Sequence, residues 1–226
     1  MDKNIIITGT SRGIGYELAL LFADAGCNVL ALSRKTPQTL LNHPKITCLS
    51  VDLSEEKDLA QVENFLSSGW EKIDAIIHNA GSLVLKPFGE LSTSDFEKVY
   101  RVNVFAVAAL TRISLLLLQK GSHVVTISSM GGIQGSLKFS GLAAYSSSKG
   151  AVITLSELLA EEYRDRGIAF NVLALGSVQT EMLAEAFPGY EAPLSATDMA
   201  DYIFNFTLTG HKYYNGKVLQ VSSTTP

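Results

Sequence analysis

Seven short apolar runs punctuate the chain, at Asn4–Thr8, Asn28–Ser33, Ile46–Val51, Ile73–His78, His123–Ser128, Ala169–Ala174 and Lys217–Val221. Each would be apolar on both faces of an extended backbone, the pattern of parallel strands sandwiched between helices. The segments between them are predicted to be helical over Gly13–Ala25, Glu55–Ser68, Ser92–Gln119, Ala144–Arg166 and Thr197–Thr209. Ser54-Glu55-Glu56-Lys57 and Ser92-Thr93-Ser94-Asp95 read as helix starts, and Gly26, Gly121 and Gly167 as helix stops. No repeat, low-complexity tract or Pro/Gly linker interrupts this alternation. It predicts an α/β fold: a single Rossmann-type domain over residues 1–226, with a doubly wound parallel sheet and helices on both faces. Ligands of such sheets bind beyond the carboxyl ends of the strands, near the point where strand order reverses. Residues that follow strands are therefore the ones to read for chemistry.

The first strand runs into Gly9-Thr10-Ser11-Arg12-Gly13-Ile14-Gly15. Glycines at a strand-to-helix turn let the backbone bend sharply and approach a pyrophosphate, while the helix start offers free N–H groups. The same residues fit a G-x-S-x-G nucleophile elbow with Ser11 as nucleophile. A serine hydrolase of that kind would need His211 with Asp198 or Asp201 as partners, and nothing in the sequence specifies them.

The second strand ends in Ser33-Arg34-Lys35. An acidic residue there would hydrogen-bond the free 2′-hydroxyl of NAD, and here the position holds Ser33. Guanidinium groups from Arg34 and Arg12 suit a 2′-phosphate, so the expectation is NADP(H) in preference to NAD(H). Asp52-Leu53 follows the third strand, where the acid either caps the next turn or contacts adenine.

Strand four ends in His78-Asn79-Ala80-Gly81 and strand five in Ser128-Ser129. The next helix opens with Tyr145-Ser146-Ser147-Ser148-Lys149, which places Tyr145 and Lys149 on one helical face. A tyrosine is a poor acid–base group at neutral pH, and a neighbouring ammonium lowers its pKa. A serine hydroxyl on the adjacent strand end can hold a substrate carbonyl oxygen.

These motifs together resemble the short-chain dehydrogenase/reductase family over nearly the whole chain. The matching pieces are TGTSRGIG at 8–15, NAG at 79–81, Asn103 in VNVFAV, ISS at 127–129, YSSSK at 145–149 and Gly176 to Thr180. The resemblance implies reversible hydride transfer between a carbonyl and an alcohol. Ser129 would orient the substrate oxygen, Tyr145 would pass the proton, and Lys149 would lower the tyrosine pKa and bind ribose hydroxyls. Asn103 would support a water-linked proton relay. Asn79, Ala80 and Gly81 would line the cofactor groove, as would Gly176, Val178 and Thr180, with Thr180 on the nicotinamide side. A fold-retaining NADP(H)-binding regulator with little turnover is the alternative within the family.

The chain departs from the family in three places. Ser129 to Tyr145 is a few residues longer than the commonest spacing, with the surplus expected within Ser136–Gly141, and Ser128 stays open as the catalytic serine. Leu175-Gly176 stands where the family has Pro-Gly, which should loosen the turn. The lid, at about 181–195, is short, and its Met182, Leu183, Phe187, Tyr190 and Pro193 suit a bulky or apolar carbonyl compound.

Charge and composition narrow the remaining classes. A net charge of −4 argues against nucleic acid as a partner. The sequence shows no signal-peptide pattern and no apolar run long enough to span a bilayer, so a cytoplasmic protein is expected. Cys27 and Cys48 are expected as buried reduced thiols, and the histidines lack metal-ligand spacing. Apolar surplus at Val107–Leu110 and Leu115–Leu118 points to a homodimer or homotetramer.

Overall fold

The computed structural model describes residues 2–222. In chain order the first half contains β1 (Asn4–Thr8), α1 (Gly13–Asp24), β2 (Asn28–Ser33), α2 (Gln38–Leu41), β3 (Ile46–Ser50), α3 (Glu56–Gly69) and β4 (Ile73–His78). The chain continues through α4 (Thr93–Tyr100), α5 (Ala106–Ser114), β5 (Leu118–Ser129), α6 (Ala143–Glu162) and β6 (Ala169–Leu175). It ends with β7 (Val178–Gln179), α7 (Glu181–Ala186), β8 (Leu194–Ser195), α8 (Ala196–Thr209) and β9 (Lys217–Val221).

Seven strands form one parallel sheet in the order β3-β2-β1-β4-β5-β6-β9. The order reverses between β1 and β4, where Ile5–Ile7 lie beside Ala75–Ile77. Alternate side chains of β1 enter opposite layers, as a pleated strand requires. Ile5 and Ile7 pack with Leu18 and Phe22 of α1 and Ile203 and Phe206 of α8. Ile6 packs with Val62 and Leu66 of α3, Leu110 of α5 and Ala160 of α6. Each such fully buried aliphatic side chain contributes on the order of 1.5–3 kcal/mol. The sheet is thus fixed from both sides, and its carboxyl edge is a rigid platform for the loops above it.

Several expected boundaries move. The single helix expected over Ser92–Gln119 is broken: α4 passes through a π-type turn at Arg101–Phe105 into α5, which stops at Ser114. The apolar run Leu115–Leu118 is not helical surface, because Leu118 is fully buried and pairs with Ile73, starting β5 early. Gly121 therefore stops no helix. It lies within β5 with φ of 88°. Gly26 and Gly167 do adopt the left-handed backbone expected after helical segments. Ser92 caps α4 in a reciprocal box with Asp95, as expected. Ser54 does not cap α3, because its hydroxyl binds Asp52 instead. Cys27 is buried just before β2 and Cys48 is half-buried in β3, both as free thiols. Among the described residues no helix is long and apolar enough to cross a membrane.

Candidate active site

A cleft of about 1320 Å³ runs along the carboxyl edge of the sheet. Arg34 and Asp52 line one end, Gly9 with Ser11, Arg12, Gly13 and Ile14 the middle, and Ser129, Tyr145, Lys149 and Thr180 the other.

The middle is built by packing. Thr8 Oγ1 accepts from the N–H groups of Asn79 (3.0 Å) and Ala80 (2.9 Å), tying β1 to the end of β4. Asn79 Nδ2 donates back to the carbonyls of Thr8 (3.0 Å) and Gly9 (3.3 Å). A Cβ on Gly9 would lie 2.8 Å from Ala80 Cα, and one on Gly15 would overlap the Gly9 carbonyl oxygen. Both glycines are therefore fixed by close backbone contact. Gly13, at φ of 58°, permits the turn into α1. Among the described residues no side chain caps α1, so its first N–H groups face the cleft as ready anion donors.

At the β2 end, Arg34 is exposed along the cleft and Lys35 is exposed beside it. Ser33 is buried, and its hydroxyl donates to the Lys35 carbonyl (2.8 Å) and accepts from Thr10 Oγ1 (3.3 Å). Ser33 thus braces the turn that presents the two cations. Asp52 accepts from Ser54 N (3.0 Å) and Oγ (2.6 Å), which is the turn-capping geometry of the two expected for it. Burial pushes its carboxyl up, but the Ser54 hydrogen bonds and the Arg34 charge together hold it below the ordinary value. Leu53 beside it is buried. Arg12 is turned elsewhere: its guanidinium forms a two-pronged pair with Glu185 of α7.

The opposite end brings together the residues expected to be catalytic. Asn103 sits in the π-type turn, the kind of helix irregularity that recurs at functional sites. A Cβ placed on Gly81 would lie 3.8 Å from Asn103 Oδ1, 3.8 Å from Met182 Cε and 3.9 Å from Lys149 Nζ. Lys149 Nζ lies 5.8 Å from the centroid of the Tyr145 ring. It donates to the Ile127 carbonyl at 2.7 Å, and burial pulls the ammonium down to about 8. The two serines differ. Ser128 is buried and its Oγ donates to the Lys149 carbonyl (2.9 Å), whereas Ser129 is half-buried and lines the cleft with Tyr145. Ser129 Oγ also accepts from Gly131 N at 3.2 Å. The surroundings also shift the Tyr145 hydroxyl. Burial pushes it above the ordinary tyrosine value, and the Ser129 hydrogen bond only partly offsets that.

Beyond β6, a Cβ on Gly176 would collide with Ser222, so only glycine lets the chain pass the end of β9. Val178 is buried in the small β7–β8 pairing, and Thr180 Oγ1 caps α7 by accepting from Leu183 N (3.3 Å). The surplus loop before α6 reaches this segment: the rings of Phe139 and Phe187 lie 6.4 Å apart.

The hydrolase reading of Ser11 fails on geometry. His211 lies beside His123, at the amino end of the sheet, and Asp198 caps α8 through Ser195. Neither shares the cleft with Ser11.

The family model described as short chain dehydrogenase matches residues 3–191. The chain belongs to the short-chain dehydrogenase family. This short-chain dehydrogenase is 31% identical over 210 residues to "Oxidoreductase BOA17" of Botryotinia fuckeliana, covering 87% of this chain and 74% of that one. A solved short chain dehydrogenase from Escherichia coli CFT073, complexed with NADPH, superposes with a TM-score of 0.85 at 28% identity. The match covers 97% of this chain and 96% of that one. A 4-hydroxyisoleucine dehydrogenase complexed with NADH shares the fold with a TM-score of 0.88 at 22% identity, covering 98% of this chain and 97% of that one. The fold therefore carries either nicotinamide coenzyme in its relatives, and a preference in this short-chain dehydrogenase has to come from its own residues. Glu185 is one of the cleft residues that sequence reading missed. It lies 173 positions from Arg12, in no motif, and only the fold brings the two together.

Proposed function

We propose that the protein is an NADP(H)-dependent carbonyl reductase that interconverts a ketone or aldehyde with its alcohol, using Tyr145 as acid and base. One observation carries this reading. Ser129, Tyr145, Lys149 and Asn103 converge at one end of a cleft whose other end is lined by Arg34. The uncapped start of α1 and the glycine turn beside it fit a pyrophosphate, and a cleft lined from Arg34 to Tyr145 and Thr180 fits a dinucleotide.

The bound coenzyme would supply the hydride, or take it back in oxidation. Arg34 and Lys35, held by the Ser33 brace, favour a 2′-phosphate over a bare ribose hydroxyl. Gly176, Val178 and Thr180 wall the nicotinamide side. Ser129 orients the carbonyl oxygen and polarises it. Tyr145 delivers the proton to that oxygen in reduction, and its upward-shifted hydroxyl keeps that proton at neutral pH. Lys149, charged below about 8, favours the phenolate left behind and reaches the ribose hydroxyls. Asn103 is a positioning residue, since its amide clamps Ser82 and Ser148.

The substrate end of the cleft is lined by Leu85, Phe139, Leu142, Met182, Phe187 and Tyr190. The segment 181–195 acts as a short lid over it. This wall favours a bulky or apolar carbonyl compound. Phe105, Leu116 and Leu158 are exposed apolar residues on the α5–α6 side and support a homodimer or homotetramer. Val107 and Leu110, expected to add to that surface, are buried in the chain's own core.

The test is a fluorescence titration of NADPH and NADH against the wild type and Arg34→Asp. Tighter NADPH binding that the variant loses supports the coenzyme assignment, and equal wild-type affinities would overturn it. A carbonyl panel tests the substrate half, which fails if small charged keto acids outperform aromatic and aliphatic ketones.

A further inference from the structure

Arg12 is one of the cations expected to meet a 2′-phosphate, yet its guanidinium is held by the carboxylate of Glu185, with Nη2 to Oε2 at 3.0 Å. The pairing is bidentate, so both donors on that edge of the guanidinium are occupied. Glu185 comes from α7, across the cleft from the glycine turn, and the two side chains remain 45% and 63% exposed. A second acid of α7 stands beside them: a Cβ on Gly13 would lie 3.4 Å from Glu181 Oε2. Both carboxylates thus occupy the mouth of the anion cradle. The Arg12–Glu185 pair holds the arginine up and the glutamate down in pKa through their hydrogen bond, so both are charged near neutral pH.

We propose that Glu185 is a specificity-determining residue that sets how strongly the enzyme prefers a 2′-phosphorylated coenzyme, by competing with that phosphate for Arg12. The inference rests on the coenzyme reading above and goes beyond it. A coenzyme without the phosphate leaves the Arg12–Glu185 pair undisturbed. A coenzyme with it gains Arg12 only by breaking the pair, so part of the intrinsic preference is cancelled. The same exchange frees α7 from the glycine turn when the phosphorylated coenzyme binds.

The experiment is a set of NADPH and NADH titrations on wild type, Glu185→Gln, Arg12→Ala and the double variant, read by coenzyme fluorescence without substrate. Glu185→Gln is expected to tighten NADPH about 2- to 5-fold, the scale of an exposed ion pair, and to leave NADH unchanged. In the Arg12→Ala background the same substitution is expected to change neither affinity, because the competition acts through Arg12. Equal tightening of both coenzymes, or a gain that persists without Arg12, would mean a general charge effect and overturn the proposal. If Glu185→Gln changes nothing while Arg12→Ala weakens NADPH selectively, the proposal falls and the coenzyme reading stands. If wild type shows no preference and Arg12→Ala changes nothing, the coenzyme reading itself falls.

Discussion

Asn103 grips the backbone of Ser82 at two points: its Oδ1 accepts from the Ser82 N–H at 2.7 Å, and its Nδ2 donates to the Ser82 carbonyl at 2.9 Å. Nδ2 also donates to Ser148 Oγ at 2.9 Å, one residue from Lys149. A single amide therefore joins the loop after β4, the π-type turn and α6. Replacing it with leucine takes this partner from the half-buried Ser82 N–H and carbonyl and from the buried Ser148 hydroxyl. Asn103→Leu is expected to lose about 2–3 kcal/mol of stability, seen as a lower urea midpoint. An unchanged midpoint would mean that the clamp is dispensable.

Lys149 gives the stability a pH dependence with a definite sign. Its folded value is about 8 against an ordinary 10.5, so between these pH values the unfolded chain holds a proton that the native state has released. Stability from this group is then present above the unfolded value and is lost as pH falls through the folded one. The stability difference between wild type and Lys149→Met should therefore shift in favour of wild type from pH 8 to pH 10. Urea unfolding of both proteins at several pH values measures it, and a flat difference would contradict the burial argument.

The glycines of the turn should separate by role. Gly15→Ala drives a Cβ into the Gly9 carbonyl and the Asn79 side chain, and is expected to lower the melting temperature sharply. Gly13→Ala meets its nearest neighbours only at 3.4 Å and suffers mainly from its φ of 58°. It should fold with a penalty of about 1 kcal/mol and show weakened coenzyme binding. Calorimetry beside a nucleotide titration distinguishes the two.

Phe139 should matter to substrates and not to coenzyme. Its ring faces Phe187 across the mouth of the substrate end. Phe139→Ala is expected to raise KM for aromatic ketones several-fold while kcat changes little. Steady-state kinetics on a graded ketone series checks this, and a fall in kcat with unchanged KM would remove Phe139 from the pocket wall.

The sheet was legible because its signal is local. Runs such as Ile5–Ile7 are short, rich in β-branched residues and closed by a glycine turn, which favours a sandwiched strand, and the Tyr145–Lys149 spacing follows directly in sequence. The break between α4 and β5 was not legible. Leu115–Leu118 reads equally as helix or strand, and only the pairing of Leu118 with Ile73 decides. The direction of the Tyr145 shift was also hidden, because sequence reveals a neighbouring ammonium but not how far the fold strips water from the tyrosine hydroxyl. Ser128 and Ser129 are adjacent and chemically alike. The pleat separates them, burying the Ser128 hydroxyl against the Lys149 carbonyl and leaving Ser129 half-buried in the cleft that Tyr145 also lines.

The most direct measurement is NADPH oxidation with an apolar ketone by wild type and Tyr145→Phe, alongside NADPH binding by both. The expected result is a loss of turnover of at least about 100-fold, the scale of a missing general acid, with coenzyme affinity preserved. Turnover that survives in Tyr145→Phe would contradict the assignment of the proton to this residue.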